Sequence, residues 1–239
     1  MELYKGTGVT KTGEIKVSKS IGGLIIASSK TMEQLANETI TAWIERANGS
    51  NIEIATNIPL NQFILACTYG GESVQSDADY NLIAVCEVAH EGSVRLFENE
   101  SLKFKLDGLT PGTTYAVNGV ENPVDSDSMY KFELKTIASE DPNKKIDVRG
   151  YDLAVVNTLT SVDTVSYTFG NKEVVKYTPF ELKTLSRDID PIQVIAVDGT
   201  VQQNIGTMVT LPLLAVNDLE FQKSSGTLIS ITLRTSHEI

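Results

Sequence analysis

Residues 38–65 read ETITAWIERANGSNIEIATNIPLNQFIL, from Glu38 to Leu65. Thr39 to Arg46 and Ile52 to Thr56 are two extended runs joined by Asn48-Gly49, a dipeptide whose residues both tolerate the positive φ of a type I′ hairpin turn. A proline then opens a short apolar helix. The same order returns at Thr164 to Leu185, TVSYTFGNKEVVKYTPFELKTL, with Gly170-Asn171 at the turn and Pro179 opening the helix. An apolar period of 3.6 from Met32 through Ile40 and Ile44 to Ala47 would also permit a helix there. The second copy decides for a strand, because Val165 to Phe169 is β-branched and aromatic. Its Thr178-Pro179-Phe180-Glu181 also carries a capping hydroxyl, a first-turn proline and a carboxylate three residues after the cap.

Pro59 and Pro179 lie 120 residues apart, half of the 239-residue chain. A period this long predicts a duplicated domain rather than a solenoid of short repeats. With 41% hydrophobic residues the chain can bury a core in each half. No apolar run approaches the ~20 residues of a membrane span. Ile21 to Ser28 is short, carries two glycines and has no cleavage-site pattern after it, which argues against a signal peptide and for assembly in the cytoplasm. A net charge of −11 repels phosphate backbones, so specific nucleic-acid binding is not expected. Cys67 and Cys86 sit among apolar residues and read as small buried hydrophobes.

The reading along the chain is an N-terminal arm over 1–20, a first domain over 21–138, a linker over 139–150 and a second domain over 151–239. The arm is polar, with Lys5, Lys11, Lys16 and Lys19 against Glu2 and Glu14, and Gly6, Gly8 and Gly13 oppose regular structure, though Glu14 to Val17 could be a short strand. Lys30 to Glu38 predicts a helical turn or two. Further strands are expected at Gly23 to Ala27, Tyr80 to Val88, Ser93 to Phe97, Leu102 to Leu106, Thr114 to Val117 and Tyr130 to Ile137 in the first half. Those of the second half are Tyr151 to Leu159, Ile192 to Val197, Thr207 to Leu211, Asp218 to Phe221 and Thr227 to Arg234. Many short strands with one short helix per half predict an all-β class of antiparallel sandwiches. Ser139 to Gly150 reads as the linker because it is charged, contains proline and has little to bury.

A strand, a loop with a small helix, a strand ending in Asn-Gly, a second strand and a Pro-Leu-x-x-Phe helix together resemble the major capsid proteins of tailless icosahedral bacteriophages, including those with an internal membrane. The resemblance implies a double jelly roll, two tandem jelly-roll β-sandwiches with a short helix in each. It also implies a homotrimer presenting six barrels as a pseudo-hexagonal tile of the virion capsid. The implied partners are neighbouring capsid trimers, minor and vertex capsid proteins, and a lipid membrane beneath the shell. The basic arm, with a side-chain charge of +2 on an acidic body, would then face that interior.

Nothing in the chain announces a reaction. Only His90 and His237 could act as neutral-pH bases, and there is no Gly-x-Ser-x-Gly, His-Glu-x-x-His, phosphate-cradling loop or Cys-x-x-Cys. The chain therefore reads as a structural protein and not an enzyme. Acidic pairs stand at Asp77 and Asp79, Glu98 and Glu100, Asp125 and Asp127, and Asp188 and Asp190. Each could offer two oxygens to Ca²⁺, which takes six to eight, and Asp77, Asp79, Asp125 and Asp127 are the candidate ligands. The competing reading is that all are solvated turn acids. An alternative function rests on LDGLTPGTTYAV, residues 106–117, which resembles the tyrosine corner of fibronectin type III modules, with Tyr115 bonding back to the backbone. That resemblance implies a tandem sandwich for adhesion or receptor binding. Trp43 lies farther from Tyr115 than such a module places its core tryptophan.

Overall fold

The computed structural model describes residues 1–70, 74–189, 194–195, 201–202, 206–224 and 226–238. In the first half run β1 (Glu2–Thr7), β2 (Ile15–Val17), β3 (Gly23–Ser28), β4 (Thr39–Glu45), β5 (Asn51–Pro59), α1 (Leu60–Thr68), β6 (Leu82–Glu87), β7 (Ser101–Asp107) and β8 (Thr114–Val120). The second half repeats the series with β9 (Ser128–Ile137), β10 (Asn143–Asp147), β11 (Leu153–Val156), β12 (Val162–Phe169), β13 (Val174–Tyr177), α2 (Pro179–Ile189), β14 (Val209–Pro212), β15 (Val216–Lys223) and β16 (Ile229–Glu238).

Two four-stranded antiparallel sheets face each other in the first half, in the orders β1-β8-β3-β6 and β2-β7-β4-β5. Those of the second half are β9-β16-β11-β14 and β10-β15-β12-β13. Each order of the second half is that of the first with eight added to every strand number. Two halves with one topology, each with a helix between its fifth and sixth strands, establish the duplication that the repeat predicted.

Alternation explains the strands. In β4, Ile40, Ala42 and Ile44 are buried while Thr39, Thr41, Trp43 and Glu45 alternate outward, so Trp43 is not a core residue. The helical rival for this stretch fails because its apolar residues at even positions already satisfy a two-residue period. A single 3₁₀ turn, Met32–Gln34, is what forms of the helix expected in Lys30 to Glu38.

Strand pairing redraws the expected boundaries. The arm is not an arm: Lys5 pairs with Ala116 and Gly6 with Tyr115, while Ile15 pairs with Phe104, so both its segments are strands of the first sandwich. Gly6 is itself paired within the β1 ladder, and Gly8 and Gly13 lie in the turns beyond it, so none of the three prevents pairing. Ser128–Ile137 pairs along its length with Ile229–Glu238 and is the first strand of the second half, not the last of the first. The linker likewise holds a strand, since Asn143–Asp147 pairs with Asp218–Gln222 at a sheet edge where charged side chains can stay in water. The connection between halves instead falls within residues 121–127, of which Asp125–Ser126 pairs with Ser93–Val94 of the first half. Of the expected Ile192 to Val197 strand, all but residues 194–195 lies outside the described residues.

The hairpin turns also differ from expectation. In the first, the Gly49 N–H donates to the Arg46 carbonyl and the Arg46 N–H to that of Ser50, and only Gly49 takes positive φ, at 80°. This is a longer turn closed by a left-handed residue, not a two-residue type I′ turn. The second copy repeats it bond for bond: Lys172 donates to Phe169, Phe169 to Glu173, and Lys172 takes φ 69°. Asn48 and Asn171 each accept the N–H two residues on, at 2.9 and 3.0 Å. Asn171-Lys172 is therefore the equivalent of Asn48-Gly49. The prolines are not strictly equivalent either, because Pro59 caps α1 whereas Pro179 is the first helical residue behind Thr178.

Candidate assembly interface

The helix α1 is mostly apolar and uncharged, with Leu60, Phe63, Ile64, Leu65 and Ala66 fully buried and Gln62 buried beside them. A helix of this kind must be covered on every face. One side is covered by its own sandwich and the other by the sheet β9-β16-β11-β14 of the second half. The rings of Phe63 and Phe132 meet with centroids 4.9 Å apart. Leu153 and Val155, on β11, belong to the apolar cluster of the first half rather than that of the second.

The strand β16 is accordingly buried on both faces. Ile229, Ile231 and Leu233 enter the second core, while Ser230, Thr232 and Arg234 face the first half. Polar groups on that covered face need partners, and they have them. Gln62 on α1 donates to the Ser230 hydroxyl at 2.7 Å and accepts from the Thr232 hydroxyl at 2.6 Å. The Arg234 guanidinium donates to the Ala66 carbonyl in the last turn of α1, pairs with Asp152 at 2.6 Å and lies 4.7 Å from the Tyr130 ring centroid. A cation there complements the negative end of the helix dipole.

The second helix has the same place in its own half and a different environment. Its capping box forms as expected, with the Thr178 N–H donating to the Glu181 carboxylate at 2.7 Å. Leu182 and Ser186 turn inward, and Ser186 and Thr210 share a hydroxyl hydrogen bond of 2.7 Å. Phe180 is 79% exposed, Leu214 beside the helix 88% and Leu185 41%. A cavity of about 490 Å³ opens here, lined by Tyr167, Tyr177, Leu182, Leu185, Leu211 and Leu214.

The acidic candidates are placed apart. Asp77 accepts the N–H groups of Asp79 and Tyr80 at 2.8 and 2.7 Å, closing a turn ahead of β6. Asp125 and Asp127 are exposed after β8, at the other end of the same sheet, and Asp127 stands 3.8 Å from Arg95. Glu98 is exposed, whereas Glu100 pairs with Arg46 at 2.7 Å. The Asp188 side chain and Asp190 lie outside the described residues. Among the described residues no three carboxylates, histidines or cysteines converge on one point. His90 packs on Tyr130, and His237 lies opposite Met129 with its pKa held below the ordinary value by burial and by Lys131. Cys67 and Cys86 are free and buried.

The tyrosine corner exists in part. The Tyr115 hydroxyl accepts the Thr110 N–H at 3.2 Å, but it also donates to Glu38 at 2.6 Å, and Glu38 takes Lys30 at 2.7 Å and Thr110 at 2.9 Å. Burial pushes the Glu38 carboxyl up, and these hydrogen bonds outweigh it and hold the pKa below the ordinary value. The corner ties β8 to the start of β4 in an eight-stranded sandwich, which is not the fibronectin type III strand order.

No family model and no curated protein matches the sequence. Solved structures do match. The major capsid protein P2 from bacteriophage PM2 superimposes with a TM-score of 0.58 at 9% identity, over 100% of this chain and 95% of that one. A chain from the atomic structure of Sulfolobus turreted icosahedral virus gives 0.52 at 9% identity, over 99% and 90%. This chain is a double jelly roll. At such identity the likeness is one of fold, and the strand orders support it independently, since eight strands in two facing Greek-key sheets define each roll. The two rolls are joined by α1, whose Gln62 and Phe63 meet Thr232 and Phe132 and whose last turn meets Arg234, by β5 packed on β9, and by backbone hydrogen bonds from His90 to Ser128 and from Tyr130 to Val88. Sequence reasoning missed Gln62 and Arg234. The available signal was a glutamine inside a mostly apolar helix and an arginine in mid-strand among apolar and small hydroxyl residues.

Proposed function

We propose that the protein is a major capsid protein, three copies of which form a pseudo-hexagonal tile of an icosahedral shell assembled in the host cytoplasm. The observation that carries this reading is the pair of jelly rolls of one strand order, fixed side by side through α1, aligned over nearly the full length of a capsid protein. Two rolls per chain give a trimer six similar units, and a cyclic closed arrangement is the common solution for identical subunits. Neighbouring trimers and vertex proteins are then the partners, and a membrane under the shell would meet one end of the rolls. The role is architectural: the polar groups at the roll junction are spent on one another and none is positioned to act on a substrate.

Gel filtration with light scattering, followed by electron microscopy, tests it. The expected result is a particle-forming trimer of three 26.0 kDa chains. A stable monomer that never forms particles would favour adhesion instead.

A further inference from the structure

The exposed face around α2 has a counterpart inside the chain that shows what fits it. At the roll junction, a helix between the fifth and sixth strands of one roll is covered by the outer face of the other roll's 1-8-3-6-type sheet. The contributing residues there are Phe132, Leu153, Val155, Thr232 and Arg234. The second roll has the helix and, among the described residues, no sheet laid across it. The first roll has the equivalent sheet, β1-β8-β3-β6, and its outer face is apolar along the middle. Ile25 stands opposite Val85 and Asn118, and Ala27 opposite Ile83 and Ala116, while the alternate residues Leu24, Ile26, Ala84 and Cys86 fill the roll's own core. Ile25, Ile83 and Val85 all retain accessible surface.

We infer that the α2 face, with Phe180, Leu185 and Leu214, docks the outer face of β1-β8-β3-β6 on a second copy of this chain. The inference rests on the assembly reading above and names the contact that produces it. Both halves of the contact are on each molecule, on different rolls, so the association is head-to-tail and continues until a ring closes. Repetition of one roll-to-roll contact, alternately within a chain and between chains, makes six rolls equivalent from three chains. The composition of the helices agrees with this. α1 is buried at all but Asn61 and carries no charged residue, whereas α2 must stay in water until a neighbour arrives and carries Glu181, Lys183 and Thr184 among its apolar residues.

The test uses the full chain with single cysteines at Leu214→Cys or Ile83→Cys and a short bis-maleimide, the native cysteines being buried. Mixing the two variants should give a covalent heterodimer, neither variant alone should cross-link, and the double variant should give a ladder ending at three chains. Cross-linking of Leu214→Cys with itself would show a two-fold contact between helices and overturn the inference. In parallel, Phe180→Asp with Leu214→Asp should abolish the trimer peak while leaving the circular dichroism spectrum and melting of the monomer unchanged. A wild-type trimer that persists in this variant overturns the docking face and leaves the capsid reading standing. A wild-type chain that is monomeric at every concentration overturns both.

Discussion

Arg234, in the last strand of the second jelly roll, donates to the carbonyl of Ala66 in the first roll's helix while its other nitrogens hold Asp152. One guanidinium thus ties the end of α1 to the covering sheet and satisfies acceptors that the junction would otherwise bury. Arg234→Ala is expected to cost about 2 kcal/mol, since the buried Ala66 carbonyl loses its charged donor, the pair with half-exposed Asp152 is broken and packing on Tyr130 is lost. Arg234→Lys should recover only part of this, because an ammonium cannot reproduce the planar fork. Urea unfolding followed through Trp43 checks both, and a loss below about 0.5 kcal/mol in the alanine variant would remove Arg234 from the junction's energetics.

Lys172 holds the left-handed position that Gly49 holds in the first hairpin, at φ 69° against 80°. A residue with a Cβ is strained there, while glycine carries a larger entropy loss on folding. Lys172→Gly should therefore raise stability by up to about 1 kcal/mol, and Gly49→Lys should lower it by a similar amount. Thermal melts of both variants, moving in opposite directions, are the expected outcome.

The buried Glu38 carboxylate receives Lys30, Thr110 and Tyr115, and its pKa in the folded chain is lowered from the ordinary 4.5. A carboxyl depressed on folding adds stability that is complete above its unfolded pKa and is lost as pH falls through the folded one. Stability should fall on acidification below about pH 4.5. Glu38→Gln should be less stable than the wild type at pH 7 and show a flatter acid limb. Parallel limbs in a series of melts from pH 7 to pH 3 would count against this assignment.

Deleting Met1 to Lys11 removes β1 and bares the β8 edge that it covers. The truncated chain is expected to aggregate or to lose several degrees of melting temperature, since an unpaired edge strand invites other chains. A truncated chain that melts as the full one does would return these residues to the status of a tail.

An acidic subunit at high copy number repels itself on assembly. Particle yield should rise with Ca²⁺, through sites shared between subunits at Asp77, Asp79, Asp125 or Asp127, or with salt, which screens over a Debye length of about 10 Å at 0.1 M. Titration with chelator at fixed ionic strength separates the two, and indifference to both would show that surface charge does not govern assembly.

The amino-acid order by itself determined the class, the duplication and the hairpin-to-helix unit. Each of these follows from short-range chemistry: alternation in β4, a left-handed turn residue, a capping box at Thr178. The mostly apolar, uncharged α1 and the amphipathic α2 were also legible, and with them the expectation that α1 needs the fuller cover. What only the tertiary structure decided is which strands belong together. Glu2–Thr7 looked like a tail and Ser128–Ile137 like the end of the first domain, because a strand's partner is chosen by backbone hydrogen bonds that leave no mark on its own side chains. The junction was hidden for the same reason. Gln62 and Arg234 are 172 residues apart, and nothing local to either says that the sheet bearing one will lie across the helix bearing the other.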